Sequence, residues 1–192
     1  MKIIKTPIKG IFEVEGLPFI DKRGSFLRLY DSIKLKKLWK KRKINQVNQS
    51  ASHTKGTVRG VHFQYAPDTE AKLVRCLKGK VFDVAVDLRP NSPTFLKWHG
   101  VELSQKKANA LFVPEGCGQG YQSLVSDIHV IYFHSGMYVP SNEGALRWDD
   151  ELANISWPLK STIVSKRDKG INPLKSIIAA KKIFKKFSKF YE

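Results

Sequence analysis

The stretch "KLVRCLKGKVFDVAVDLRPNSPTFLKWHGVELS", residues 72–104, restricts the fold more than any other part of the chain. Its β-branched and aromatic residues form short runs, separated first by a Lys-Gly pair and then by a Pro/Asn/Ser cluster. The segment therefore reads as strand, turn, strand, turn, strand. Further strand-like runs follow at "NALFVP", "YQSLVS" and "HVIYFHS". A strand about every ten residues points to a sandwich or barrel, and the lack of alternating strand and helix patterns counts against a dinucleotide-binding α/β fold. Helical patterns are confined to residues 31–42, after the possible cap Asp31, and to the carboxyl end. There Ile177, Ala180, Phe184 and Phe187 recur at helical spacing beneath a lysine-rich outer face.

At 192 residues with 42% hydrophobic content, the chain suits a single all-β domain over 1–192, its last part (171–192) a basic helical extension. Charge is the unusual quantity: 34 Lys+Arg against 17 Asp+Glu give a formal +17, which favours anionic partners. Many lysines fall in two runs, "KLKKLWKKRK" and "KKIFKKFSKF", and such runs are usually solvated helix faces. The carboxyl-terminal one could lie on a membrane, but packing on the domain is the commoner fate of an amphipathic helix. Nucleic-acid recognition would need a basic stripe interleaved with exposed aromatics, so no specific nucleic-acid partner is expected. Cys76 and Cys117 have no CxxC spacing and read as free thiols in a reducing compartment. No signal-peptide core and no apolar window of membrane length is seen, so a cytoplasmic protein without a membrane span is expected.

"GTVRGVHFQY", residues 56–65, looks like the approach to a cupin metal site, where a strand carries a His-x-His pair. Here Gln64 takes the second position, and the glycine-rich "PEGCGQGY" at 114–121 offers Gln119. An amide oxygen is a poor ligand for a transition metal, so no metal is expected. A barrel without a metal can still move protons if a base, an acid and an enolate stabiliser face one another. Strand alternation puts His62 on one face with Gln64, Lys72 with Val74 and Cys76, and Tyr132 with Val130 and His134. The imidazole titrates near neutrality, an ammonium suits developing negative charge, and a phenol can deliver a proton.

Taken together, "DKRGSFLRLY", "NQSASHTKGTVRGVHFQ", "KLVRCLKGKVFDVAVDLRPNSPTFLKW", "PEGCGQGY" and "EGALRWDDELANISWP" resemble, in order and spacing, the dTDP-4-dehydrorhamnose 3,5-epimerase family over about residues 3–170. The resemblance implies a cupin-like β jelly roll with short peripheral helices, a homodimer with an exchanged amino-terminal strand, and no cofactor. It implies epimerisation at C3 and/or C5 of a nucleotide-linked 4-keto-6-deoxy sugar, in deoxysugar biosynthesis for cell-surface polysaccharide. By the same resemblance His62 is the general base, Asp168 the carboxylate that orients it, Tyr132 the acid on the opposite face, and Lys72 the cation beside the C4 oxygen. Arg23 and Arg59 match pyrophosphate-binding positions, Phe26, Gln46, Asn48 and Tyr138 match nucleotide contacts, and Glu143 and Arg167 match further substrate contacts.

Two positions depart from the family pattern. Gln119 stands where a second histidine is usual, so the number of centres inverted is open. Arg28 stands where Glu usually contacts the pyrimidine, and a donor in place of an acceptor leaves dTDP, GDP and CDP all possible. The rival expectation is a catalytically silent cupin that binds a nucleotide sugar or an anionic polymer.

Overall fold

The computed structural model describes residues 1–190, which form two facing β-sheets. The strands are β1 (Lys2–Lys5), β2 (Phe12–Glu15), β3 (Phe19–Asp21), β4 (Gly24–Phe26), β5 (Gln46–Ser52), β6 (Val58–Gln64) and β7 (Lys72–Lys78). After them come β8 (Lys80–Asp87), β9 (Trp98–Ser104), β10 (Asn109–Val113), β11 (Cys117–Ser123), β12 (Ile128–His134) and β13 (Glu143–Ala145). One sheet runs β1-β2-β10-β7-β12-β5 and the other β13-β6-β11-β8-β9, while β3 and β4 form a separate hairpin. The pairings between these strands are antiparallel, and the jumps between sheets make a cupin-like jelly roll.

Alternation along each strand builds three apolar layers. Val74, Cys76, Leu111 and Val130 from the first sheet meet Val81, Ala85, Leu103 and Tyr121 from the second, and this is the inner core. The opposite face of the first sheet, with Leu73, Ala110 and Phe133, is covered by Leu35, Leu38 and Trp39. The opposite face of the second, with Val61, Phe63, Val84 and Val86, is covered by Ala180, Phe184 and Phe187. Sheets buried on both faces explain why "KLVRC" and "VFDVAVD" carry apolar residues at successive positions.

Two glycines permit approaches that a side chain would block. Gly79 at φ +74 makes the turn between β7 and β8. Gly60 has φ +114, and a Cβ there would lie 2.5 Å from the Cα of Gly120 on β11. This is the close passage that seats His62 opposite Gln119 in the register.

The helices differ from expectation in three respects. Only Lys36–Trp39 (α1) is helical in the 31–42 segment, and Asp31 accepts from the backbone of Ile33 and Lys34 to cap the turn before it. The run from Lys34 to Lys43 contains no carboxylate to pair with its cations, and like charges three or four apart oppose a longer helix. A second short helix, α2 (Lys166–Lys169), was not foreseen. The carboxyl-terminal helix α3 (Ile177–Ile183) begins at Ser176, whose hydroxyl accepts from the Ala179 N–H, and continues as a 3-10 segment over Lys185–Phe190. Its buried stripe is Ala180, Phe184 and Phe187, whereas Ile177 is exposed. The extension therefore packs on the barrel, as expected; residues 191 and 192 lie outside the described residues. The strand expected at "YQSLVS" starts four residues earlier, at Cys117, because its glycines are demanded by packing: a Cβ on Gly118 would lie 2.6 Å from Val61. No helix is long and apolar enough to cross a membrane among the described residues.

Candidate active site

Between the sheets lies a cavity of ≈ 520 Å³, within the range of small-molecule sites. β6 supplies His62 to one wall, β7 and β12 supply Lys72, Tyr132 and His134 to the other, and Gln119 comes from β11.

His62 and Asp168 form a dyad, Nε2 to Oδ1 at 2.7 Å. The carboxylate comes from α2, whose N-terminal Ser165 accepts from the Asp168 N–H at 3.0 Å. The chain just before it is held to β6 by a parallel bridge between Val164 and Val58. Burial raises the Asp168 carboxyl, but the hydrogen bond and charge of His62 outweigh it and hold Asp168 below the usual range. A charged carboxylate on Nε2 leaves Nδ1 as the nitrogen available to a substrate.

Lys72 is almost buried, with Nζ 3.3 Å from Glu70 Oε1 and donating at 3.4 Å to the main-chain oxygen of His62. The phenol of Tyr132 is pushed well above its ordinary value, first by burial and then by the neighbouring Tyr121 and Asp83. It is therefore a neutral O–H donor at any ordinary pH. Gln119 donates to Asp83 at 2.9 Å, and burial pushes the wholly enclosed Asp83 carboxyl up to about 7.

The remaining positions fall into two groups. Around the cavity mouth, Arg59 is held by Ser52 and by the carbonyl of Ala51, and Asn48 contributes from β5. Tyr138 donates its hydroxyl to Glu143, which also pairs with Arg167 at 2.9 Å. Burial raises the Glu143 carboxyl, yet Arg167 and Tyr138 together keep it low. Gln46 accepts from the Tyr138 backbone and so fixes that loop. Gln64 does similar work: its amide bonds the backbone of Asp68, Met137 and Val139. In contrast, Arg23, Phe26 and Arg28 lie outside this cavity. Arg23 pairs with Asp21 at the β3–β4 hairpin, Phe26 is exposed, and Arg28 pairs with Asp31 at 3.0 Å.

Two cavity residues, Glu70 and His134, and the buried Asp83 behind Gln119 were given no role from the sequence. Alternation could have found Asp83, which shares the inward face with Val81 and Ala85, and it did set His134 on the face of Tyr132 without giving it a role. Among the described residues no group of three or more His, Cys, Asp or Glu side chains is arranged to hold a metal ion.

A cupin-like jelly roll with an imidazole–carboxylate dyad, a lysine and a tyrosine around one lumen is equipped to remove and return a proton, the chemistry of an isomerase. Comparisons with known proteins narrow it. The family model for dTDP-4-dehydrorhamnose 3,5-epimerase matches residues 5–176. The dTDP-4-dehydrorhamnose 3,5-epimerase of Shigella flexneri is 39% identical over 180 residues, covering 93% of this chain and 98% of the relative. A 4-keto-6-deoxy sugar epimerase from the novobiocin cluster of Streptomyces spheroides superposes with a TM-score of 0.88 at 32% identity, covering 95% of this chain and 90% of the other. An epimerase of Legionella pneumophila, solved with dTDP-4-keto-L-rhamnose, gives a TM-score of 0.86 at 32% identity, covering 93% and 96%. The chain belongs to the dTDP-4-dehydrorhamnose 3,5-epimerase family and is an enzyme of the isomerase class.

Proposed function

We propose that the protein epimerises a dTDP-linked 4-keto-6-deoxy sugar at C3, C5 or both. The observation that carries this reading is the His62–Asp168 dyad on one wall of a cavity whose other wall presents Lys72 and Tyr132. A hydrogen α to a ketone is acidic only when the resulting enolate is stabilised. Nδ1 of His62 removes the proton from C3 or C5, and Asp168 balances the imidazolium that forms. Lys72 offers its ammonium to the C4 oxygen as negative charge collects there. Tyr132 returns a proton from the opposite face, which inverts the centre; the His62 imidazolium then releases its proton to solvent and the Tyr132 phenolate takes one up, which restores both groups.

The nucleotide is assigned to the mouth, where Arg59 meets the pyrophosphate and Asn48, Tyr138, Glu143 and Arg167 surround the rest. The thymidine nucleotide is favoured by the ligands named for relatives. Arg28 does not oppose it, because its guanidinium is engaged by Asp31 away from the cavity. Arg23 and Phe26 project on an exposed hairpin, so we assign them to the cavity of a second copy in a homodimer. Within the chain β1 pairs with its own β2, and we place the exchange of amino-terminal structure at this edge of the first sheet. We place the enzyme in the cytoplasm, where nucleotide sugars for surface polysaccharides are made.

Incubation with dTDP-4-keto-6-deoxy sugars in heavy water tests the reading. Deuterium at C3 or C5 is expected, and no incorporation with any such sugar would overturn it.

A further inference from the structure

The scheme above uses neither Glu70 nor His134, yet both line the same cavity as Lys72. Glu70 ends the turn before β7, and His134 ends β12, where the register sets it opposite Lys72. One carboxylate serves both neighbours: Oε1 faces Lys72 Nζ at 3.3 Å, and Oε2 accepts from His134 Nδ1 at 2.7 Å. The three side chains are shielded almost equally, at 9%, 10% and 13% exposure for Glu70, Lys72 and His134. Burial raises the Glu70 carboxyl, but the His134 hydrogen bond and the Lys72 charge outweigh it, so the group stays ionised.

The consequences for each neighbour differ. A lysine has a long, freely rotating stem, and here its head is fixed by Glu70 on one side and by the His62 carbonyl across the lumen. For His134, a carboxylate on Nδ1 leaves Nε2 free, and that nitrogen has no protein hydrogen bond among the described residues. The Tyr132 ring, 5.8 Å away centroid to centroid, supports the imidazole from the same strand.

We propose that Glu70 is a positioning residue for the epimerisation: its single carboxylate fixes the Lys72 ammonium beside the C4 oxygen and turns His134 Nε2 toward the bound sugar nucleotide. The inference rests on the epimerase reading. Lys72 then stabilises the enolate from a preset position rather than after a search. His134 adds a contact made in the ground state and the transition state alike.

The test uses isotope exchange and epimerisation kinetics on the full chain. Glu70→Gln keeps the shape but not the charge, so kcat is expected to fall about 100-fold, the scale of a misplaced catalytic group, with KM changed less than about threefold. His134→Gln removes the contact and is expected to raise KM about tenfold with kcat nearly unchanged. An E70Q enzyme that melts normally and keeps kcat within about threefold of the parent overturns the proposal. If E70Q does not fold, H134Q decides: unchanged KM and kcat overturn it. The parent enzyme separates the two readings, because failure of the parent to exchange deuterium removes the epimerase assignment itself, whereas an active parent beside an equally active E70Q removes only the role of Glu70.

Discussion

Gln119 on β11 donates its side-chain amide to the buried Asp83 on the neighbouring β8, and the second carboxylate oxygen of Asp83 has no hydrogen-bond partner among the described residues. An amide cannot supply the positive charge that would hold a buried carboxylate ionised. Asp83 therefore moves from its ordinary 3.8 to about 7, with burial as the main cause.

The pH dependence of stability follows from that shift. Below about pH 4 Asp83 is protonated in both folded and unfolded chains and costs nothing. As pH rises toward 7 the folded chain binds more protons than the unfolded one, so stability falls, and the full cost is present above about 7. Asp83→Asn removes the titration. Its stability advantage over the parent is expected to grow by about 4 kcal/mol between pH 4 and pH 8, on the basis of about 1.4 kcal/mol per pH unit. Urea midpoints at a series of pH values give this difference; a flat difference contradicts the assignment.

For the dyad, His62→Ala should abolish deuterium incorporation at every centre. Asp168→Asn keeps the hydrogen bond but not the charge, and a loss of about 10²–10⁴ in kcat is expected. The exchange rate by proton NMR is the measurement, and an Asp168→Asn enzyme as fast as the parent would show that the carboxylate does not support the base.

Tyr132 lies against the inner core, so Tyr132→Phe keeps the packing and removes only the hydroxyl. Epimerisation should slow far more than exchange, since proton removal by His62 survives. Equal losses in the two assays would argue against protonation by the phenol.

The hairpin assignment predicts complementation. If Phe26 serves the cavity of a second copy, a dimer mixed from His62→Ala and Phe26→Ala chains contains one site with both residues intact. Mixing and re-equilibrating two impaired variants should restore activity. Restoration should fail if Phe26 and His62 act within one chain, or if the protein is monomeric by light scattering.

Phe187 is fully buried, its ring 5.5 Å from Phe63 and 5.6 Å from Tyr65. Phe187→Ala is expected to cost about 3–5 kcal/mol, as truncation of a buried aromatic does. Denaturant unfolding measures it. Because Phe63 is the chain neighbour of His62, activity should also fall near the new midpoint, and a cost under about 1 kcal/mol would mean that the carboxyl-terminal cover is dispensable.

The β-rich core was legible because strands with both faces covered carry strong apolar runs, and the turn at Gly79 carries a plain signal. The segment around Gly118 and Gly120 was harder, since glycines favour no strand and only the approach of Val61 and Gly60 reveals why they are there. The 31–42 helix was overread because periodic Leu and Trp positions say which residues are buried, not how many turns bury them. Motif order placed His62, Asp168, Lys72 and Tyr132 in one group, and the fold brings these side chains to one cavity. Glu70 escaped notice for a different reason: it lies outside any strand, its importance depends on Lys72 and His134 beside it, and linear spacing does not record that.

The two halves of the dyad are 106 residues apart in sequence. On the ribosome, the strands that form the walls of the lumen emerge before α2 does, so a nascent chain can assemble most of its barrel while His62 still lacks its carboxylate. The base is thus complete only once α2 has emerged and delivered Asp168 to His62.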